Sequence, residues 1–153
     1  PFLEVITMPP VADILSARKA PPLAALPPTA TVREALQMMA DRDIGSVLII
    51  QGDSLLGLFT ERDYARKIAL KGLSSNDALL MNVMSAKLYV VSPRQTAEEC
   101  MGIMTHGRTR HLPVVDGGQL LGLVSIGDLV NAMMNKQRFL ISQLESYIAG
   151  DLA

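Results

Sequence analysis

The chain of 153 residues contains no tryptophan and only three phenylalanines and three tyrosines. A surface that stacks nucleobases on aromatic rings therefore has almost nothing to be built from. Its one cysteine, Cys100, excludes a disulfide framework or a cysteine zinc site within one chain. Fourteen Lys and Arg face fifteen Asp and Glu, so the basic surplus needed for general binding to phosphate backbones is missing. No apolar run approaches the roughly 18 residues of a membrane span. Residues 1–10 lack the basic start and apolar stretch of a signal peptide. These absences predict a soluble, cytoplasmic protein with neither a membrane nor a nucleic-acid partner. What is abundant is aliphatic: 49% of residues are hydrophobic and nine are Met. The expected core is Val, Ile, Leu, Ala and Met, with the flexible thioethers filling irregular gaps.

The chain repeats itself. Shifted by 65 residues, Thr31 falls on Thr96, Glu34 on Glu99, Met39 on Met104, Gly52 on Gly117 and Asp63 on Asp128. Leu55-Leu56-Gly57-Leu58 falls on Leu120-Leu121-Gly122-Leu123. Nine of the 33 positions from 31 to 63 are identical, and about a third of the others exchange one apolar residue for another. Upstream the register slips: Leu15-Ser16 matches Met84-Ser85, which gives the first copy about four extra residues in its Ala/Pro-rich stretch.

Each copy reads as β-α-β-β-α. An extended segment (23–26; 88–91) precedes a helix with apolar residues at helical spacing (Val32, Ala35, Leu36, Met39; Ala97, Cys100, Met101, Met104). Both helices open on T-x-x-E, the capping-box pattern. A hairpin follows (47–50 with 55–59; 112–115 with 120–124), and a second helix closes each copy at 61–70 and 126–134. The predicted architecture is α+β, two repeats over 11–72 and 77–135 packed sheet to sheet about a pseudo-twofold axis. Residues 71–79 read as a polar linker. Over 136–150 an added amphipathic helix carries Leu140, Leu144, Tyr147 and Ile148, with Gly150 placed to end it; such a helix covers an exposed edge or joins a second subunit.

In both copies the last strand runs into G-x-x-[ST]-x-x-D: Gly57 to Thr60 to Asp63, and Gly122 to Ser125 to Asp128. Taken alone, a hydroxyl followed three residues later by an acid is a helix cap. Its repetition adds a functional reading. Free N–H groups at a helix start suit a phosphate, and a carboxylate beside them can accept hydrogen bonds from vicinal hydroxyls such as those of ribose.

The doubled β-α-β-β-α unit, the two motifs and the stretch Arg110-His111-Leu112-Pro113-Val114-Val115 resemble the tandem CBS domain pair, or Bateman module. The likeness spans about residues 11–135 and is strongest to stand-alone two-CBS proteins of bacteria and plants. It implies a cleft between the repeats for adenosine-containing ligands (AMP, ADP, ATP, NAD(H) or S-adenosylmethionine) that are sensed rather than transformed. It also implies a flat homodimer and a separate protein partner. Asp63 and Asp128 match the family's ribose acid, and Thr60 and Ser125 its neighbouring hydroxyl. Ala25, Leu26 and Pro27, or Val90, Val91 and Ser92, lie where adenine is read. Arg108, Arg110 and His111 match the residues that reach phosphate, and Arg62 is a further guanidinium for that role. An assembly module with a vestigial cleft, or a fragment regulating an enzyme such as IMP dehydrogenase, are the competing readings. No catalytic constellation is present in the sequence.

The copies are unequal. Where the second has Arg108, Arg110, His111 and Pro113, the first has Asp43, Gly45, Ser46 and Leu48; where the first has Arg62, the second has Gly127. Two sites of different affinity are expected, with Asp43 repelling phosphate. His106 and His111 lack an acid at ligand spacing, so no metal site is expected. Cys100 is expected as a buried core thiol, and Met38, Met39, Met101, Met104, Met133 and Met134 in the core or an interface. Arg62, Arg66, Lys67 and Lys71 form one basic stripe, either a solvated helix face or a lure for phosphate.

Overall fold

A computed structural model describes residues 7–17 and 23–152. In chain order the elements are α1 (Val11–Ala17), β1 (Ala25–Leu26), α2 (Val32–Arg42), β2 (Ser46–Gln51), β3 (Ser54–Thr60) and α3 (Glu61–Asp63). A π-helical turn (Tyr64–Ala69) follows, then α4 (Leu80–Val83), α5 (Ala97–Gly107), β4 (His111–Asp116), β5 (Gln119–Ser125) and α6 (Ile126–Leu152). The fold is α+β with two small sheets, as the repeat pattern predicts.

The chain forms two compact units, and their boundaries differ from those of the sequence repeats. Described residues 23–88 form one unit; 7–17 with 89–152 form the other. Each unit is completed by a segment that the sequence attaches to the other repeat. In the first unit, Thr31 bridges Leu79, Val32 N donates to Ala78 O at 2.9 Å and Leu80 N donates to Ala30 O at 2.9 Å. In the second, Pro10 bridges Thr96, Ala97 N donates to Pro9 O at 2.9 Å and Val11 N donates to Gln95 O at 2.8 Å. These bonds satisfy N–H groups that a helix start leaves without intrahelical partners. The stretch 71–79 is thus more than a linker: Arg33 N donates to Ser75 O at 2.9 Å.

Local sequence accounts for the elements. Both capping boxes form, Thr31 with Glu34 and Thr96 with Glu99, each hydroxyl accepting from the N3 amide while the glutamate accepts from the cap amide. Both hairpins form in the expected register, with a bulge after Ile49 and after Val114. Gly117 and Gly118 take positive φ (58° and 79°) in the second turn. Val47, Leu48 and Ile49 are each fully buried, the mark of a strand covered on both faces. Each such side chain contributes roughly 1.5–3 kcal/mol. Cys100 is buried with Ala97 and Met104 on the inner face of α5.

Three expectations change. The extended segment 88–91 forms only a bridge, Val91 to Val114, so the second unit has a two-stranded sheet where the first has three. The helix expected over 61–70 is three α-helical residues and then a π-turn, closed by Leu70 N to Ala65 O at 3.0 Å. Residues 126–134 and 136–150 are not separate helices. α6 runs unbroken for 27 residues through Gly150, because Asn135-Lys136-Gln137-Arg138 offers neither Pro nor a turn to stop it. Met39 and Met104 are core residues, and Met134 is 44% exposed.

Candidate functional site

The first motif turns from β3 into α3. Thr60 Oγ1 accepts from Asp63 N at 3.1 Å, and Asp63 Oδ2 accepts from Thr60 N at 3.0 Å and from Thr60 Oγ1 at 3.2 Å. The second motif closes the same way between β5 and α6: Ser125 N donates to Asp128 Oδ2 at 2.8 Å and Asp128 N to Ser125 Oγ at 3.2 Å. The capping reading of both motifs is therefore correct. The cap also holds each carboxylate in one position at a helix start, where partial positive charge favours it.

The other oxygen of Asp63 is engaged as well. Oδ1 accepts from Ser85 Oγ at 3.0 Å and lies 3.2 Å from Lys67 Nζ. Lys67 Nζ also donates to the Val83 carbonyl at 2.9 Å. A carboxylate offers about four lone-pair positions; three hydrogen bonds and the Lys67 ion pair engage those of Asp63. Asp63 is accordingly buried, 8% exposed. Sequence reasoning missed Ser85 and gave Lys67 only to the basic stripe. The signal for Ser85 was the slipped match of Met84-Ser85 with Leu15-Ser16. At the position matching Lys67 the second copy has Ala132.

The motif glycines have a packing cause. A Cβ on Gly57 would stand 2.7 Å from Met84 Sδ and 2.9 Å from the Ser85 carbonyl. That segment lies along β3, where Leu58 and Ser85 bond each other in both directions. A Cβ on Gly122 would stand 3.0 Å from Leu15 Cδ2. Met84 and Leu15, equivalent in the repeat, thus seat on equivalent glycines.

The phosphate candidates lie beside the second motif. His111 pairs with Ser125 in the hairpin, and Ile126 N donates to the Arg110 carbonyl at 2.9 Å. Arg110 is exposed and His111 half-buried. Arg108 ends α5 in the left-handed conformation, φ 51°, a position more often given to Gly. Asp43 takes the matching place after α2, φ 53°. Ser46 pairs with Thr60, and Glu61 N donates to the Gly45 carbonyl at 3.1 Å, so the first unit has the same frame without its basic residues. Arg62 is exposed at the first helix start.

The adenine candidates lie across the central strand from the motifs. Ala25 pairs with Leu48, and exposed Pro27 follows β1. Val91 is buried; its N–H donates to the Pro113 carbonyl at 3.0 Å and its carbonyl accepts from Val115 N at 2.8 Å. Ser92 N donates to Gln95 Oε1 at 2.8 Å. His106 packs edge-on to Tyr89, ring centroids 6.4 Å apart, and a Cβ on Gly107 would strike the same ring. Burial, with the Glu99 carboxylate second, pushes the Cys100 thiol up to about 11. It is therefore not a poised nucleophile.

The CBS domain pattern matches residues 11–70 and again 80–135. The chain belongs to the CBS-domain family. Tandem CBS domains form a regulatory module. A plant relative, the mitochondrial CBS domain-containing protein CBSX3 of Arabidopsis thaliana, is 35% identical over 125 residues. The match covers 78% of this CBS-domain chain and 61% of that protein, less than two thirds of its length. Among solved structures, a protein with CBS domains from Burkholderia ambifaria superposes with TM-score 0.80 at 43% identity, over 84% of this chain and 96% of that one. A CBS domain protein from Pyrobaculum aerophilum, solved in complex with AMP, superposes with TM-score 0.67 at 26% identity, over 78% and 88%. No helix among the described residues is long and apolar enough to cross a membrane.

Proposed function

We propose that this CBS-domain chain is a non-catalytic sensor of adenosine-containing nucleotides: AMP, ADP or ATP, with NAD(H) and S-adenosylmethionine as further ligands of the same chemistry. It works in the cytoplasm as a homodimer that alters the activity of a separate protein partner. The observation that carries this reading is the doubled turn, in which a capped helix start holds a carboxylate at Asp63 and again at Asp128. The AMP complex of the Pyrobaculum relative supports the ligand class.

In this reading Asp128 accepts from the vicinal ribose hydroxyls, Ser125 neighbours the ribose and phosphate, and Arg108, Arg110 and His111 meet the phosphate. Ala25 and Pro27, or Val91 and Ser92, border the base. The turn at Asp63, with Thr60 and Arg62, is the weaker site, because its unit carries Asp43, Gly45 and Ser46 where the other has Arg108, Arg110 and His111. Signalling follows if the nucleotide binds one arrangement of the protein more tightly than another; equal affinity would switch nothing.

Calorimetric titration with AMP, ATP, NADH and S-adenosylmethionine, against GTP as control, tests the proposal. Saturable heat from an adenosine ligand but not from GTP is the expected result, with the tighter site abolished by changes at Asp128. Absence of heat from every ligand, with a folded protein, overturns it. That outcome selects an assembly module with vestigial sites, a reading favoured by the fully engaged carboxylate of Asp63.

A further inference from the structure

Helix α6 is about 40 Å long at 1.5 Å per residue, and its own unit covers only its beginning. Leu129 is buried there and Ala132 and Met133 pack on the same core. Residues 141–150 are all exposed. The family match ends at residue 135, so the distal half of the helix lies outside the unit that CBS domains share.

One face of α6 is apolar along its whole length. Ile126, Val130, Met133, Gln137, Leu140, Leu144 and Tyr147 recur at alternating steps of four and three residues, the spacing of a heptad seam. Met134, Ile141 and Ile148, one heptad apart, widen the seam along one flank. Leu144 is 58% exposed, Tyr147 69% and Ile148 59%. Arg138 and Glu145 lie off the stripe, as do Ser142 and Ser146.

We propose that a second copy of this chain covers the stripe, the two α6 helices pairing as a short coiled coil. A heptad seam is complementary to itself, so one patch serves both partners of a twofold dimer. The area agrees. The exposed fractions of Ile126, Val130, Met134, Ile141, Leu144, Tyr147 and Ile148 amount to roughly 700 Å² per copy, against about 800 Å² per partner in a stable standard interface. Gln137 is the one polar residue in the seam from 126 to 147. Facing its own counterpart it fixes the register, at a cost in affinity. The inference rests on the homodimer of the proposed function and names its contact surface; it is independent of the nucleotide sites, of whose motifs only Ile126 takes part.

Sedimentation equilibrium on the full chain tests it, comparing wild type with the double variant Leu144→Glu/Tyr147→Glu and with Ser146→Glu, off the stripe. The double variant is expected to halve the assembly mass while keeping its far-ultraviolet dichroism and thermal transition; Ser146→Glu leaves the mass unchanged. Gln137→Leu, which removes no contact with the fold's core, is expected to shift dissociation to lower protein concentration. An unchanged mass in the double variant overturns the proposal. So does a monomeric wild type, which would mean that another segment of the chain or a different protein is the occupant.

Discussion

Lys67 Nζ sits 3.2 Å from Asp63 Oδ1 and donates to the Val83 carbonyl at 2.9 Å, so one ammonium ties the first motif's acid to the segment that ends at Ser85. The side chain is 36% exposed, and solvent screens part of the attraction. Lys67→Met keeps most of the stem and removes the charge and its donors. Urea unfolding is expected to show a loss of about 0.5–1.5 kcal/mol. Equal midpoints for the two proteins would mean that the pair contributes nothing.

Asp128→Ala should weaken adenosine-nucleotide binding by about 1–3 kcal/mol, a five- to 150-fold change in dissociation constant, as loss of a charge-assisted hydrogen bond does. The variant also loses the bond from Ser125 N, so α6 loses part of its cap. Calorimetry on the folded variant separates the effects. Superimposable titration curves would remove Asp128 from the ribose role.

Gly57→Ala and Gly122→Ala occupy matching positions but should differ in cost. The first pushes a methyl against the Ser85 carbonyl at 2.9 Å as well as Met84 Sδ; the second meets the tip of Leu15, which can rotate. Gly57→Ala is expected to cost about 1–3 kcal/mol and Gly122→Ala less. Thermal unfolding of the pair checks the ranking. A reversal would mean that the 84–85 segment moves more easily than a leucine side chain.

Cys100 keeps its proton in the folded chain up to about pH 11, against 9.0 for an ordinary thiol. Between those two pH values the unfolded chain releases a proton that the folded chain retains, so this group's contribution to stability falls as pH rises through the window and is constant below it. A disulfide reagent at pH 8 should react at least about a hundredfold more slowly with native protein than with unfolded protein. Similar rates would show that α5 opens readily.

Much of this protein follows from sequence alone, because its signals are local or periodic. The T-x-x-E boxes need only four consecutive residues, and the hairpins need an alternating pattern around a Gly turn. The 65-residue self-match made the second copy an independent reading of the first. The G-x-x-[ST]-x-x-D turns were legible for the same reason: Thr60 with Asp63, and Ser125 with Asp128, close within one helical turn.

Tertiary structure decided what depends on distant segments. Ser85 reaches Asp63 across 22 residues, and Met84 and Leu15 seat on their glycines, because each unit borrows the segment that opens the other repeat. No periodicity within one repeat encodes that exchange. The reach of α6 was also a tertiary result. Its apolar spacing is written in the sequence, but only the fold shows that the unit's core ends near Met133 while the helix continues to Leu152 with its apolar face exposed. Spacing fixes which side chains share a face; whether anything covers that face depends on where the rest of the chain has gone.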